Sequence, residues 1–197
     1  GIFHFVKPLP DGISVNGKLH NDGEVQFIAD LTFDDNGRVM DHQLYDEAIR
    51  IIKEAEHTLL IDMFLFNDDY DRSKGSYPNN MVTFTEAIVE AKKVNPALHV
   101  TVITDRINTV YGSYMPAHFK QLQDADVTLI ETNMKPLRDS NPIYSSLWRS
   151  YLQWWPASQK GSFPNAFNPD GVGVSLDAYL ELVNFKANHR KIVLNEK

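Results

Sequence analysis

The chain has 197 residues, 43% of them hydrophobic and 23% charged, enough to bury a core within one domain or one large half of a bigger enzyme. A formal net charge of -7 argues against a general nucleic-acid binder, which needs a basic face for phosphates. The absence of cysteine excludes a disulfide scaffold, a thiol nucleophile and a cysteine metal site, and no stretch reaches the roughly 18 apolar residues of a membrane span.

Residues 1 to 24 are rich in Gly, Pro, Asn and Asp and read as an irregular lead-in, without the basic and apolar regions of a signal peptide. Val25, Phe27, Ala29 and Leu31 alternate as in a strand, and Asp34-Asp35-Asn36-Gly37 reads as a turn. Asp41 is placed to cap a helix over 42–56, in which Leu44, Ala48, Ile51, Ile52 and Ala55 recur at helical spacing. The apolar run Leu59 to Phe66 suits a strand covered on both faces. Thr83 and Glu86 suggest a capping box for a second helix running to Lys93. Leu98 to Thr104 reads as a strand, Pro116 to Asp124 as a helix, and Val127 to Glu131 as a strand. This alternation predicts an α/β fold: a mixed, mainly parallel sheet with helices on both faces and its sites at the carboxyl ends of the strands. Residues 136–178, with five prolines and many aromatics, interrupt the rhythm as an insertion. Tyr179 to Phe185 and His189 to Leu194 are the last strand candidates, and the second of these suggests that the natural protein continues.

The segment His189-Arg190-Lys191 opens that final strand. Residues two apart in a strand share a face, so His189 and Lys191 project together, with Val193 beneath them, while Arg190 and Ile192 point away. Two cationic donors side by side repel unless an anion lies between them, and a phosphate accepts hydrogen bonds from both. A neutral imidazole is also a nucleophile near neutral pH. By itself a His-x-Lys triplet means little; its place at the end of an α/β series gives it weight.

His189 and Lys191, followed by Glu196 after four intervening residues, resemble the signature of the phospholipase D superfamily, in which Asp stands at the third position. The series from residue 25 to 133, with Leu59 to Phe66, Val100 to Asp105 and Val127 to Ile130 as strands, is similar to the cardiolipin synthase and phosphatidyltransferase branch. The resemblance implies the first half of a two-lobed enzyme and a catalytic set of His189, Lys191 and Glu196. It implies a phosphodiesterase or phosphatidyltransferase that acts on phospholipid through a phosphohistidine. It implies no metal and no cofactor, and a second motif supplied by the rest of the polypeptide or by a second chain. The family's Gly-Ser and Asn element is absent, and a single motif should be inactive or nearly so alone.

Two alternatives stand beside this one: a nuclease of the same superfamily, disfavoured by the acidic balance, and a non-catalytic, membrane-associated binding module.

Four further residues are candidate substrate contacts. Asp62 is the sole ionisable residue of an apolar strand; it either orients a histidine at the site or satisfies local hydrogen bonds. Asp105 and Arg106 follow a strand, at the end where sites gather, and Arg106 either holds a phosphate or forms a surface ion pair. Trp148 and Trp155 lie with Tyr151 and Leu152 on one helical face, which packs on the domain or forms a lipid-facing lid flanked by Lys135, Arg138, Arg149 and Lys160. Asp68, Asp69 and Asp71 read as a solvated acidic loop rather than a calcium site. A cytoplasmic or peripheral-membrane location fits these readings.

Overall fold

The structure, a computed structural model, describes residues 2–19, 23–34, 38–154 and 161–197. Its elements in chain order are α1 (Ile2–Val6), β1 (Asp30–Asp34), β2 (Arg38–His42), α2 (Gln43–Glu54), β3 (Thr58–Met63), α3 (Asn80–Val94), β4 (His99–Thr104), α4 (Ala117–Asp124), β5 (Thr128–Glu131), α5 (Pro142–Ser150), α6 (Leu176–Leu182) and β6 (Lys191–Asn195).

The main sheet has the order β5-β4-β3-β6. Strands β3, β4 and β5 run parallel, with Ile61 beside Val102 and Val102 beside Leu129. Strand β6 joins the edge of β3 antiparallel, placing Met63 beside Lys191 and Ile61 beside Val193. The sheet is therefore mixed and mainly parallel, as its apolar runs predict.

The expectation of helices on both faces is corrected. The chain steps from β3 to β4 to β5 in one direction, and right-handed crossovers put both connecting helices on the same side. Ile52 of α2, Phe84 and Ile88 of α3, and Phe119 and Leu122 of α4 all close over Leu59, Ile61, Val100 and Val102. The other face carries Leu60, Asp62, Ile103, Ile130, Ile192 and Leu194, and Ile130, Ile192 and Leu194 are exposed. Phe66, fully buried just after β3, stacks on Phe119 with ring centroids 5.9 Å apart and meets Phe84 edge-on. Each such aromatic removes its whole side chain from water, a gain of about 1.5–3 kcal/mol.

Several local expectations change. The lead-in contains α1. The first strand is β1, later than 25–31, and it forms a hairpin with β2; of the turn predicted between them, 35–37 lies outside the described residues. Asp41 belongs to β2 and does not cap α2; Asp30 does that work from the neighbouring strand, its Oδ1 accepting from Leu44 N at 2.7 Å. Helix α3 begins at Asn80, so Thr83 lies within its first turn and donates to Asn79 O instead of capping. Residues 179–185 do not form a strand: Ser175 Oγ accepts from Ala178 N at 3.3 Å and starts α6, with Asp177 in its first turn.

Candidate functional site

The backbone ladder between β3 and β6 extends one step past the strands, where Phe64 N donates to Arg190 O at 3.0 Å. His189 thus sits just before β6, not inside it, yet the alternation survives. Lys191 Nζ lies 3.4 Å from His189 Nε2, and both residues are exposed. An ammonium only donates, so this contact is a hydrogen bond when Nε2 carries its lone pair. Phe64 flanks both groups, its ring centroid 4.6 Å from the imidazole and 5.3 Å from the amine. Arg190 turns the other way, toward Asp62 at 3.6 Å. Among the described residues, neither His189 nor Lys191 has a carboxylate partner.

A second His-x-Lys triplet, His118-Phe119-Lys120, shows what the backbone contributes. It lies in α4, where residues two apart diverge. His118 Nε2 meets Phe66 O at 2.8 Å, while Lys120 pairs with Asp124 at 3.1 Å.

Asp62 and Asp105 hold the loop that delivers His189. Both are buried at the carboxyl ends of adjacent parallel strands. Asn188 Nδ2 donates to Asp62 Oδ1 at 2.7 Å, and Asn188 N donates to Asp105 Oδ2 at 2.8 Å. Asp105 also accepts from Ile107 N at 3.1 Å and from Thr132 Oγ1 at 3.3 Å. Asp62 thus accepts a hydrogen bond from Asn188 and faces the Arg190 guanidinium, the residues on either side of the histidine, and does not touch the imidazole. Asp105, legible in the sequence as an acid at a strand end, works on this loop, and Asn188 is a site residue that sequence reasoning missed.

Glu196 is corrected as a catalytic residue. It stands five residues beyond Lys191, about 17 Å along an extended strand. Its carboxylate accepts from the backbone N–H groups of Glu56 at 2.7 Å, His57 at 3.1 Å and Thr58 at 3.0 Å. The Thr58 N–H, with those of Glu56 and His57, pulls its carboxyl down to about 2. Glu196 fastens the end of β6 to the loop entering β3.

Arg106 and Trp148 come together in a separate cavity of about 460 Å³ beside this loop, which Asp105, Arg149, Glu181, Asn184 and Lys186 also line. Arg106 forms ion pairs, as one of its two readings has it, and is half-buried in forming them. Its guanidinium lies 3.3 Å from Glu131 and 3.4 Å from Glu181, and it donates to Tyr111 O at 3.0 Å. Burial pushes the Glu181 carboxyl and the Tyr111 phenol up. Val110, Tyr111 and Gly112 all have positive φ (43°, 54° and 86°), a costly run for a β-branched and an aromatic residue. The helical face expected to join Trp148 to Trp155 breaks, because α5 ends at Ser150 and a 3-10 turn follows over Leu152–Trp154. Trp155 and Lys160 lie outside the described residues.

The acidic loop has its own partners: Asp68 pairs with Arg72 at 2.9 Å, Asp71 with Lys74 at 3.0 Å, and Asp69 accepts from the Tyr114 hydroxyl. Among the described residues no helix is long and apolar enough to cross a membrane.

No family model, no curated protein and no solved structure matches this chain.

Proposed function

We propose that the chain contributes one half of a phosphodiester-cleaving or phosphatidyl-transferring site, with His189 as nucleophile and Lys191 as the cation that holds the phosphoryl oxygens. The observation that carries this reading is the 3.4 Å approach of an exposed amine to an exposed imidazole. A cation with no carboxylate partner, beside a group able to accept or donate, is a receptor for an anion. A phosphoryl group between the two would draw the amine to its oxygens and leave the Nε2 lone pair facing phosphorus.

The step is a substitution. The Nε2–P bond forms, the P–O bond to the leaving alcohol breaks, and that oxygen departs with the electron pair. A natural alcohol then needs a proton, which a second histidine would supply. In this proposal that histidine comes from the remainder of a longer polypeptide or from a second copy, and it afterwards activates water or an acceptor alcohol. Glu196 has no part in the step. Phospholipid is the favoured substrate, on the strength of the acidic balance of the chain and the Trp148-lined cavity beside the loop; both weigh against single-stranded DNA.

Turnover of phosphatidylglycerol and of single-stranded DNA, measured in parallel on the full-length protein and its His189→Ala variant, tests the proposal. Lipid turnover lost in the variant, with binding of a phosphate analogue retained, supports it. Lipid turnover unchanged in the variant removes His189 as nucleophile. DNA turnover in place of lipid turnover makes the protein a nuclease. Phosphate binding without turnover of either makes it a binding module.

A further inference from the structure

We propose that α1 and α5 together form a docking surface for an anionic lipid bilayer. The inference goes beyond the chemistry at His189 and stands whether or not that residue is catalytic.

Helix α1 has the sequence Ile-Phe-His-Phe-Val, and none of its residues is buried. Ile2 is 80% exposed and Phe3 66%. This helix packs on α5, which presents Ile143 at 86% exposure, and the chain beyond α5 presents Trp154 at 76%. Large apolar side chains exposed in this number on adjacent short segments are unusual in water, and they mark an interaction surface.

The two pieces are joined by hydrogen bonds. Asp139 N donates to His4 O at 3.1 Å, and Arg138 Nε donates to Lys7 O at 2.9 Å. The patch is thus held to the fold and is not a loose end.

Its charge identifies the occupant. Lys7 and Arg138 meet where α1 joins the segment before α5, in a chain of net charge -7, and the carboxylate beside them in sequence is Asp139. That carboxylate is buried and spent on Arg149 at 2.8 Å and Lys186 at 2.9 Å. A cationic rim around exposed apolar side chains, with Trp and Tyr among them, matches an interface whose headgroups are negative and whose interior is hydrocarbon. A second copy fits less well, because a two-fold pairing of this surface sets its cations against themselves.

Vesicle flotation tests the proposal, with phosphatidylcholine alone and with phosphatidylcholine containing phosphatidylglycerol, at low and high salt. Binding should be about tenfold or more tighter on the anionic vesicles, and should weaken as salt rises. The Phe3→Ser/Ile143→Ser variant and the Lys7→Glu/Arg138→Glu variant should each lose it while keeping the wild-type circular dichroism. His189→Ala should bind vesicles as wild type does, which separates this surface from the proposed chemistry. Equal flotation on neutral vesicles, or binding that both variants retain, overturns the proposal. So does a dimer in sedimentation velocity that Phe3→Ser/Ile143→Ser dissolves, with no vesicle binding by the wild type.

Discussion

Asn188 donates its side-chain amide to Asp62 at 2.7 Å, across 126 residues of chain, and it is the residue immediately before His189. With its backbone N–H held by Asp105 at 2.8 Å, Asn188 is fixed from two adjacent strand ends. The position of His189 therefore depends on carboxylates that never touch it.

Replacing Asn188 with Ala should destabilise the protein by about 1–3 kcal/mol, because Asp62 is left with a buried, under-satisfied oxygen. The backbone bond to Asp105 persists, so the fold survives while the imidazole loses its fixed approach to Lys191. Urea unfolding checks the first effect. Phosphate titration followed by the His189 ring signals in NMR checks the second: weaker binding by about tenfold is expected, and unchanged binding would show that the loop needs no such clamp.

Glu196 ties β6 to the entrance of β3, and its pH dependence follows from its sign. Its folded carboxyl is held at about 2, below the ordinary 4.5. The tie is therefore fully present above pH 4.5 and is lost as pH falls toward 2. Thermal melts from pH 6 downward should show the wild type losing stability across this window, and Glu196→Gln should lower Tm by a few degrees at pH 6 while flattening the slope. Equal slopes in the two proteins would remove Glu196 as the group responsible.

Asp139 is the buried centre of the α1–α5 region. Burial opposes its charge, yet Arg149, Lys186 and Asn184 outweigh that penalty and hold its carboxyl well below the usual range. Asp139→Ala leaves two poorly solvated cations facing each other and should cost about 3–5 kcal/mol. Adding Lys186→Met to Asp139→Ala should recover part of the loss, as read by denaturant midpoints. A single variant as stable as wild type would contradict this role.

Much of the architecture was legible in the sequence because one local signal decided each part of it. The apolar run from Leu59 and the β-branched stretch Val100 to Thr104 suit strands of a sheet, and the spacing of Leu44, Ala48, Ile51 and Ile52 suits a helix. The juxtaposition of His189 and Lys191 was legible for the same reason, since the two-residue period of extended chain fixes it. What failed depended on contacts distant in the chain. Helix α6 looked like a strand because Tyr179 to Phe185 is densely apolar; the signal missed was Ser175, three residues before the Ala178 N–H that it caps. Asn188 is one polar residue among others until β3 and β4 bring Asp62 and Asp105 to it. Glu196 has the spacing of a motif member, but its partners are backbone N–H groups some 140 residues earlier. That α3 and α4, among the described residues, both cover the same sheet face followed from the direction of two crossovers, which no single segment encodes.

The most direct test of the central claim is to trap the covalent intermediate with bis(4-nitrophenyl) phosphate, whose leaving group departs without a proton and so bypasses the second histidine. The account predicts release of 4-nitrophenolate matched by one acid-labile, base-stable phosphoryl adduct, mapped by mass spectrometry to His189. The adduct should be absent from His189→Ala and form about tenfold or more slowly in Lys191→Ala. An adduct on another residue, or nitrophenolate release that His189→Ala leaves unchanged, would contradict it.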